Sequence, residues 1–191
     1  MQRYEIINSL IKKHGYKKYL EIGTQFGNCF REIDIDYKVC VDPEKKYEHL
    51  THTMTSDDFF AMNNETFDIV FVDGLHLEEQ STLDILNSLK VLNEGGVIVV
   101  HDCLPHCEEF IKVCWNGTVF RSIIDLRYNN PELSLHVVDT DCGCGVITKQ
   151  LPLQTVYNKV PIDLAKTYYY YETNKQELMN VISVDQFVSM H

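Results

Sequence analysis

Two runs of the chain, Ile69-Val70-Phe71-Val72 and Val97-Ile98-Val99-Val100, are apolar at every position. Both stop at ionisable residues: Asp73 with His76 close behind it, and His101-Asp102. A strand exposed on one face alternates apolar and polar residues. A strand apolar throughout has to be covered on both faces, which is the condition of a parallel sheet packed between helices. This feature excludes most all-β and all-α architectures and sets how the rest is read.

Helical and strand-like segments alternate around these runs. Tyr4, Ile7, Leu10 and Ile11 have helical spacing and predict a helix over 2–14, stopped by Gly15. Tyr19 to Ile22 and Val39 to Val41 predict short strands, the second closed by Asp42-Pro43. Gly27 to Ile33 reads as a helix, and Ser56 as the cap of a short helix running to Met62. Leu77 to Leu92 predicts a long helix ended by Asn93-Glu94-Gly95-Gly96, and a further helix is expected around 108–127 with Trp115 inside it. Leu133 to Val138 and Gly145 to Thr148 predict two strands joined by a Thr140-Asp141-Cys142-Gly143 turn, hence an antiparallel edge pair. The expected fold is a doubly wound α/β domain over 1–150, mostly parallel, with helices on both faces. The tail, 151–191, carries the run Tyr168 to Tyr171 and is expected to pack as short helices on the domain or on the second subunit of a homodimer.

Composition narrows the partners. A net charge of −11 disfavours a nucleic-acid backbone as ligand. No segment approaches the ~18 apolar residues of a membrane helix, and the N-terminus lacks the apolar stretch of a secretion signal, so a cytoplasmic location is expected. The seven cysteines are odd in number and scattered, which fits free thiols better than a disulfide framework. Cys142-Gly-Cys144 has no second Cys/His pair at matching spacing and does not make a zinc site.

In a doubly wound sheet, ligands bind outside the carboxyl ends of the strands. The polar residues at those ends are therefore the candidate site. Strand one ends in Glu21-Ile22-Gly23-Thr24-Gln25-Phe26-Gly27, where the glycines permit a tight turn and close approach of a ligand. A dinucleotide loop needs Gly-x-Gly-x-x-Gly, and here Gln25 and Asn28 occupy the second and third glycine positions. Glu21 is placed to meet a cationic ligand group. Asp42, about twenty residues on, stands where an acid holds a ribose diol in nucleoside-binding folds.

In these residues the chain resembles the class I S-adenosylmethionine-dependent methyltransferases. Glu21-x-Gly23-x-x-x-Gly27 is similar to their first motif, Asp42 to the ribose-binding acid, and Ser56-Asp57-Asp58-Phe59 to the segment framing the adenine. Phe67 to Asp73 resembles the fourth-strand motif, and Leu92-x-x-Gly95-Gly96-x-Ile98 the entry to the fifth strand. The resemblance implies a Rossmann-like, seven-stranded sheet. It also implies cofactor contacts from Glu21, Gly23, Thr24, Gly27, Asp42, Ser56, Asp57 and Asp73. Asp73-Gly74-x-His76 with His101-Asp102 is similar to the metal-dependent branch that methylates hydroxyls of macrolide sugars and catechols. By that resemblance Asp73, His101 and Asp102 form the shell of a Mg²⁺ ion, and Asp73 and His76 are catalytic, His76 as the base. His101 departs from the pattern, since imidazole is a poor Mg²⁺ ligand, and this leaves the ion's identity open. A plain packing role for His76 at the start of the following helix stands beside the catalytic one.

Two other functions compete. A nicotinamide-dependent oxidoreductase shares the fold class but would need the missing glycine pattern. A non-catalytic nucleoside-binding or scaffold module would keep the fold without methyl transfer, and His101 is its one support.

Overall fold

The computed structural model describes residues 1–149 and 157–190. In chain order the first half contains α1 (Arg3–His14), β1 (Lys18–Ile22), α2 (Asn28–Glu32), β2 (Tyr37–Asp42), β3 (His52–Thr53), α3 (Ser56–Met62), β4 (Phe67–Val72), α4 (Glu78–Val91) and β5 (Leu92–Val100). The second half contains α5 (Val119–Asn129), β6 (Ser134–Val138), β7 (Cys144–Thr148), α6 (Ile162–Ala165), α7 (Tyr168–Leu178), β8 (Val181–Ile182) and α8 (Val184–Met190). The strands form one sheet in the order β3-β2-β1-β4-β5-β7-β6-β8. Strands β1 to β5 are parallel, β7 runs antiparallel to both β5 and β6, and β8 lies parallel to β6. The expected seven strands become eight among the described residues. The two-residue strands β3 and β8, one at each edge, are too short to leave a periodic signal.

The all-apolar runs are buried from both sides because alternate side chains leave opposite faces of the sheet. Leu20, Ile22, Val70, Val72, Ile98 and Val100 pack with α3, α4, α5 and α7 through Phe59, Ile85, Phe120 and Tyr171. Tyr19, Ile69, Phe71, Val97 and Val99 pack on the other face with α1, α2 and α8 through Ile6, Leu10, Phe30 and Phe187. Each fully buried side chain of this size stabilises the fold by roughly 1.5–3 kcal/mol. A charge at Ile69, which is wholly buried, would break both the sheet and its contact with α1.

Three local expectations are corrected. The cap of α3 is Thr55, not Ser56: the Asp58 N–H donates to Thr55 Oγ1 at 3.2 Å. Asn93 to Gly96 is not a free turn but an irregular opening of β5, where the register slips between Phe67 and Ile69. Gly95 takes φ +75 there, and a Cβ on Gly96 would lie 2.7 Å from the Asp68 carbonyl oxygen. The helix expected over 108–127 begins only at Val119. Upstream lie a single 3-10 turn, Glu108–Ile111, and a loop that carries Trp115.

The domain boundary expected at 150/151 lies outside the described residues. Beyond it, Tyr171 and Leu178 of α7, Met179 just after that helix, and Phe187 of α8 are fully buried. No helix among the described residues is long and apolar enough to cross a membrane.

Candidate active site

The parallel ladder continues one residue past the strand ends. Gly23 N–H donates to Val41 O at 2.9 Å, Asp73 N–H to Ile22 O at 2.9 Å, and His101 N–H to Val72 O at 3.0 Å. Gly23, Asp73 and His101 therefore stand in a row at the carboxyl edge, at the floor of a cleft of about 880 Å³. That volume suits a ligand of cofactor size together with a small second molecule.

One half of the cleft is the glycine loop and its neighbours. Gly23 takes φ +86, and a Cβ there would fall 2.1 Å from the Asp73 carbonyl oxygen, so only glycine fits between β1 and β4. Gly27 takes φ +72 and closes the loop by donating to Thr24 O at 2.8 Å. Asp42 is held by the same loop: its Oδ2 accepts from Gln25 N–H and its Oδ1 from Glu44 N–H, each at 2.8 Å. Glu21 lies at the back, 1% exposed, and accepts from the Tyr19 hydroxyl at 2.5 Å. Burial dominates there and pushes its carboxyl up to about 8, against the hydrogen bond from Tyr19. Ser56 and Asp57 sit across the cleft, where the Gln80 amide donates to both, at 3.2 and 3.1 Å, and to the buried Asp84 at 3.0 Å.

The other half is an acid and imidazole cluster. His76 Nε2 lies 3.5 Å from Asp73 Oδ1 and 3.3 Å from Asp102 Oδ2, while its Nδ1 is hydrogen-bonded to the Trp115 carbonyl oxygen. His101 is buried beneath, with Nδ1 3.2 Å from Asp73 and 3.3 Å from Asp102, and Nε2 3.6 Å from Asp141. Arg3, the first residue of α1, reaches in from above. It donates through Nη1 to Asp73 at 3.1 Å and through Nε to Asp141 at 3.0 Å.

These contacts set the protonation states. Burial acts against the charge on His101, but Asp73, Asp102 and Asp141 outweigh it and hold the imidazole well above its ordinary value. Burial likewise disfavours a charged Asp73. His101, His76 and Arg3 reverse that and hold its carboxyl well below the carboxylate range. His76 is raised too, since Asp73 and Asp102 outweigh its desolvation.

The residues singled out by sequence fall in this one cleft, with the exception that Gly27 closes the loop from behind. The clustering differs from expectation in one respect. Among the described residues, the side chains whose donor atoms converge within 4.8 Å are Asp73, His76 and Asp102. His101, expected in the metal shell, lies outside that triangle among three carboxylates, Asp73, Asp102 and Asp141. The Tyr168 to Tyr171 run contributes nothing to the cleft lining. Cys144 is buried in β7, apart from the half-buried Cys142. Sequence reasoning missed Arg3, Asn116 and Asp141. Arg3 looks like an ordinary charge on an amphipathic helix, and its partner Asp73 is seventy residues away.

The fold has solved relatives. It is similar to the O-methyltransferase TomG from Streptomyces achromogenes, involved in tomaymycin synthesis and solved in complex with SAM (TM-score 0.59, 18% identity, 76% of this chain and 78% of that one). It is also similar to an O-methyltransferase from Bacillus cereus in complex with SAH (TM-score 0.54, 14% identity, 76% and 79% covered). A third likeness is to an SAH-bound methyltransferase from Podospora anserina (TM-score 0.57, 15% identity, 76% of each chain). No curated protein is matched by the sequence. Residues 20–103 match the family described as "Methyltransferase domain". That stretch of the chain is therefore similar to a methyltransferase domain. The methyltransferase match begins inside β1 and ends just beyond β5, so it spans the glycine loop, Asp42 and the Asp73, His76, His101 and Asp102 group.

Proposed function

We propose that this protein is a methyltransferase that transfers the methyl group of S-adenosylmethionine to a hydroxyl of a small molecule. The observation that carries the reading is the adjacency of two half-sites in one cleft: a glycine loop that orients Asp42, and an imidazole held by two carboxylates at the next strand ends. In this reading Asp42 takes the ribose hydroxyls, Ser56 and Asp57 border the adenine, and Glu21 faces the cationic methionine end. Gly23 lets the cofactor lie against the strand ends, with Thr24 and Gly27 shaping the loop.

The acceptor enters past Leu75, Val113 and Trp115, which are 51%, 47% and 55% exposed. That rim suits a ring with a flat apolar face, a phenol or a sugar. His76 Nε2 removes the hydroxyl proton. The oxygen attacks the sulfonium methyl in line, the carbon–sulfur bond breaks, and a methyl ether and S-adenosylhomocysteine leave. Asp73 and Asp102 hold the imidazolium that forms. The acidic protein makes a nucleic-acid acceptor unfavourable. Its seven free thiols support a reducing, cytoplasmic compartment.

A second reading rests on the same triangle. Two carboxylates and an imidazole lone pair turned toward them by the Trp115 carbonyl fit a divalent cation. Such an ion would supply Lewis acidity that lowers the acceptor hydroxyl's pKa. The imidazole favours Mn²⁺ or Fe²⁺ over Mg²⁺. The protein is to be incubated with methyl-labelled S-adenosylmethionine and a panel of phenols and sugars, with EDTA, Mg²⁺ or Mn²⁺. Label transfer that survives EDTA assigns His76 as base, and transfer abolished by EDTA and restored by metal assigns it as ligand. Absence of transfer to any hydroxyl by protein that binds the cofactor would refute O-methylation.

A further inference from the structure

We infer that Trp115-Asn116-Gly117-Thr118 is a positioning segment for the reacting imidazole and its carboxylate, an inference that rests on the methyl-transfer reading above. Five hydrogen bonds run from these consecutive residues, three of them to His76 and Asp102 and two to their neighbours Cys142 and Glu78. The Trp115 carbonyl faces His76 Nδ1. A carbonyl oxygen only accepts, so Nδ1 must carry the proton. Nε2 is then the nitrogen presented to Asp73, Asp102 and the acceptor. Asn116 is 2% exposed, and its amide donates to Asp102 Oδ1 at 3.1 Å and to the Cys142 carbonyl at 3.3 Å. One oxygen of Asp102 is thereby fixed, and the other, Oδ2, is turned to His76. Asp102 itself takes φ +61, a left-handed backbone conformation uncommon for residues other than glycine.

The backbone is gripped as well. Thr118 N–H donates to the His76 carbonyl at 3.0 Å, and Thr118 Oγ1 accepts from Glu78 N–H at 2.7 Å, at the start of α4. Gly117 takes φ +59, and a Cβ there would fall 1.9 Å from the His76 carbonyl oxygen. Only glycine lets the segment lie this close. None of these hydrogen bonds involves the glycine loop or Asp42. The segment therefore acts on the reacting groups and not on the cofactor half. Asn116 and Trp115 are positioning residues: they act through Asp102 and His76.

Two measurements test this. In ¹⁵N-histidine-labelled protein, with the His76 signals identified by their loss in His76→Gln, long-range proton–nitrogen spectra read which ring nitrogen is protonated. Recorded at a pH high enough for the ring to be neutral, a single proton, on Nδ1, is expected. A bare Nδ1 would overturn the inference, whether or not an acceptor is known. The second measurement uses Asn116→Ala and the isosteric Asn116→Asp. Loss of a partner that orients a reacting group costs about 10–100-fold. That loss is expected in kcat, with KM for S-adenosylmethionine and affinity for S-adenosylhomocysteine within about twofold of the parent. Unchanged kcat, or equal losses of cofactor affinity and thermal stability in both variants, would leave Asn116 a packing residue and defeat the proposal. Failure of the underlying reading looks different: the parent protein itself would bind no S-adenosylhomocysteine or methylate no hydroxyl, while the nitrogen spectra would still decide the orientation of His76.

Discussion

Glu21 makes the stability of the ligand-free protein depend on pH in an unusual direction. Its carboxyl is buried, and desolvation raises it to about 8 from an ordinary 4.5. Between those values the folded state holds a proton that the unfolded chain has released. Stability linked to Glu21 is therefore complete below about pH 4.5 and declines as pH rises to about 8. At 1.36 kcal/mol per unit, the difference between 4.5 and about 8 amounts to at most about 5 kcal/mol. For a protein of this size that corresponds to roughly 10–20 °C in melting temperature. Glu21→Gln keeps an acceptor for the Tyr19 hydroxyl and removes the ionisation. Thermal unfolding of both proteins from pH 5 to pH 8 is the assay. The two should melt together near pH 5 and separate as pH rises, with Glu21→Gln the more stable at pH 8. Parallel curves would refute the argument that burial governs Glu21. A cationic ligand beside Glu21 should favour its charged form. Calorimetry of S-adenosylhomocysteine binding near pH 7, in buffers of different ionisation enthalpy, should then show proton release that Glu21→Gln abolishes.

Other outcomes follow from the same geometry. Gly23→Ala would drive a Cβ to within 2.1 Å of the Asp73 carbonyl and strain a left-handed residue, so cofactor binding should vanish and stability fall by at least ~1–2 kcal/mol, measurable by urea unfolding. Asp42→Ala removes the acceptor of two backbone N–H groups along with the proposed ribose contact, and affinity for S-adenosylhomocysteine should drop about 10–100-fold by calorimetry. Arg3→Ala leaves Asp73 and Asp141 without their nearest fixed cation, and a loss of about 1–2 kcal/mol in unfolding free energy is expected, larger at low salt. His76 is raised above 6.5 by Asp73 and Asp102, so as a base it is blocked by its own proton at low pH. Transfer rates should rise with pH through an inflection above 6.5, and no such inflection should remain in His76→Gln.

Much of this was legible in the sequence because it depends on short-range rules. The all-apolar runs gave the parallel sheet, and the ladder then put Gly23, Asp73 and His101 side by side with no further information. Gly23 and Asp42 were recognisable because a tight strand-to-helix turn and a second-strand acid have fixed spacing. What stayed hidden depends on contacts across the chain. Arg3 meets Asp141 over 138 residues, and nothing in the local helical pattern marks it. The run Val119, Phe120, Ile123, Ile124 and Leu126 is a true helical stripe, and it was extended backward through 108–118. The Asn116-Gly117 pair was the break signal, and Gly117 at φ +59 is where the helix cannot continue. That misreading concealed the segment that holds His76 and Asp102. The family resemblance put His101 in a metal shell; its three carboxylate neighbours come from three different segments, and only the fold brings Asp141 to it.

The central claim is that the cleft over Gly23 and Asp42 binds S-adenosylmethionine. Calorimetric titration of the folded, ligand-free protein with S-adenosylhomocysteine, beside Asp42→Ala and with EDTA present throughout, tests it most directly. The account predicts one site per chain in the parent protein and at least tenfold weaker binding in the variant. No binding by the parent protein, or equal binding by both, would contradict it.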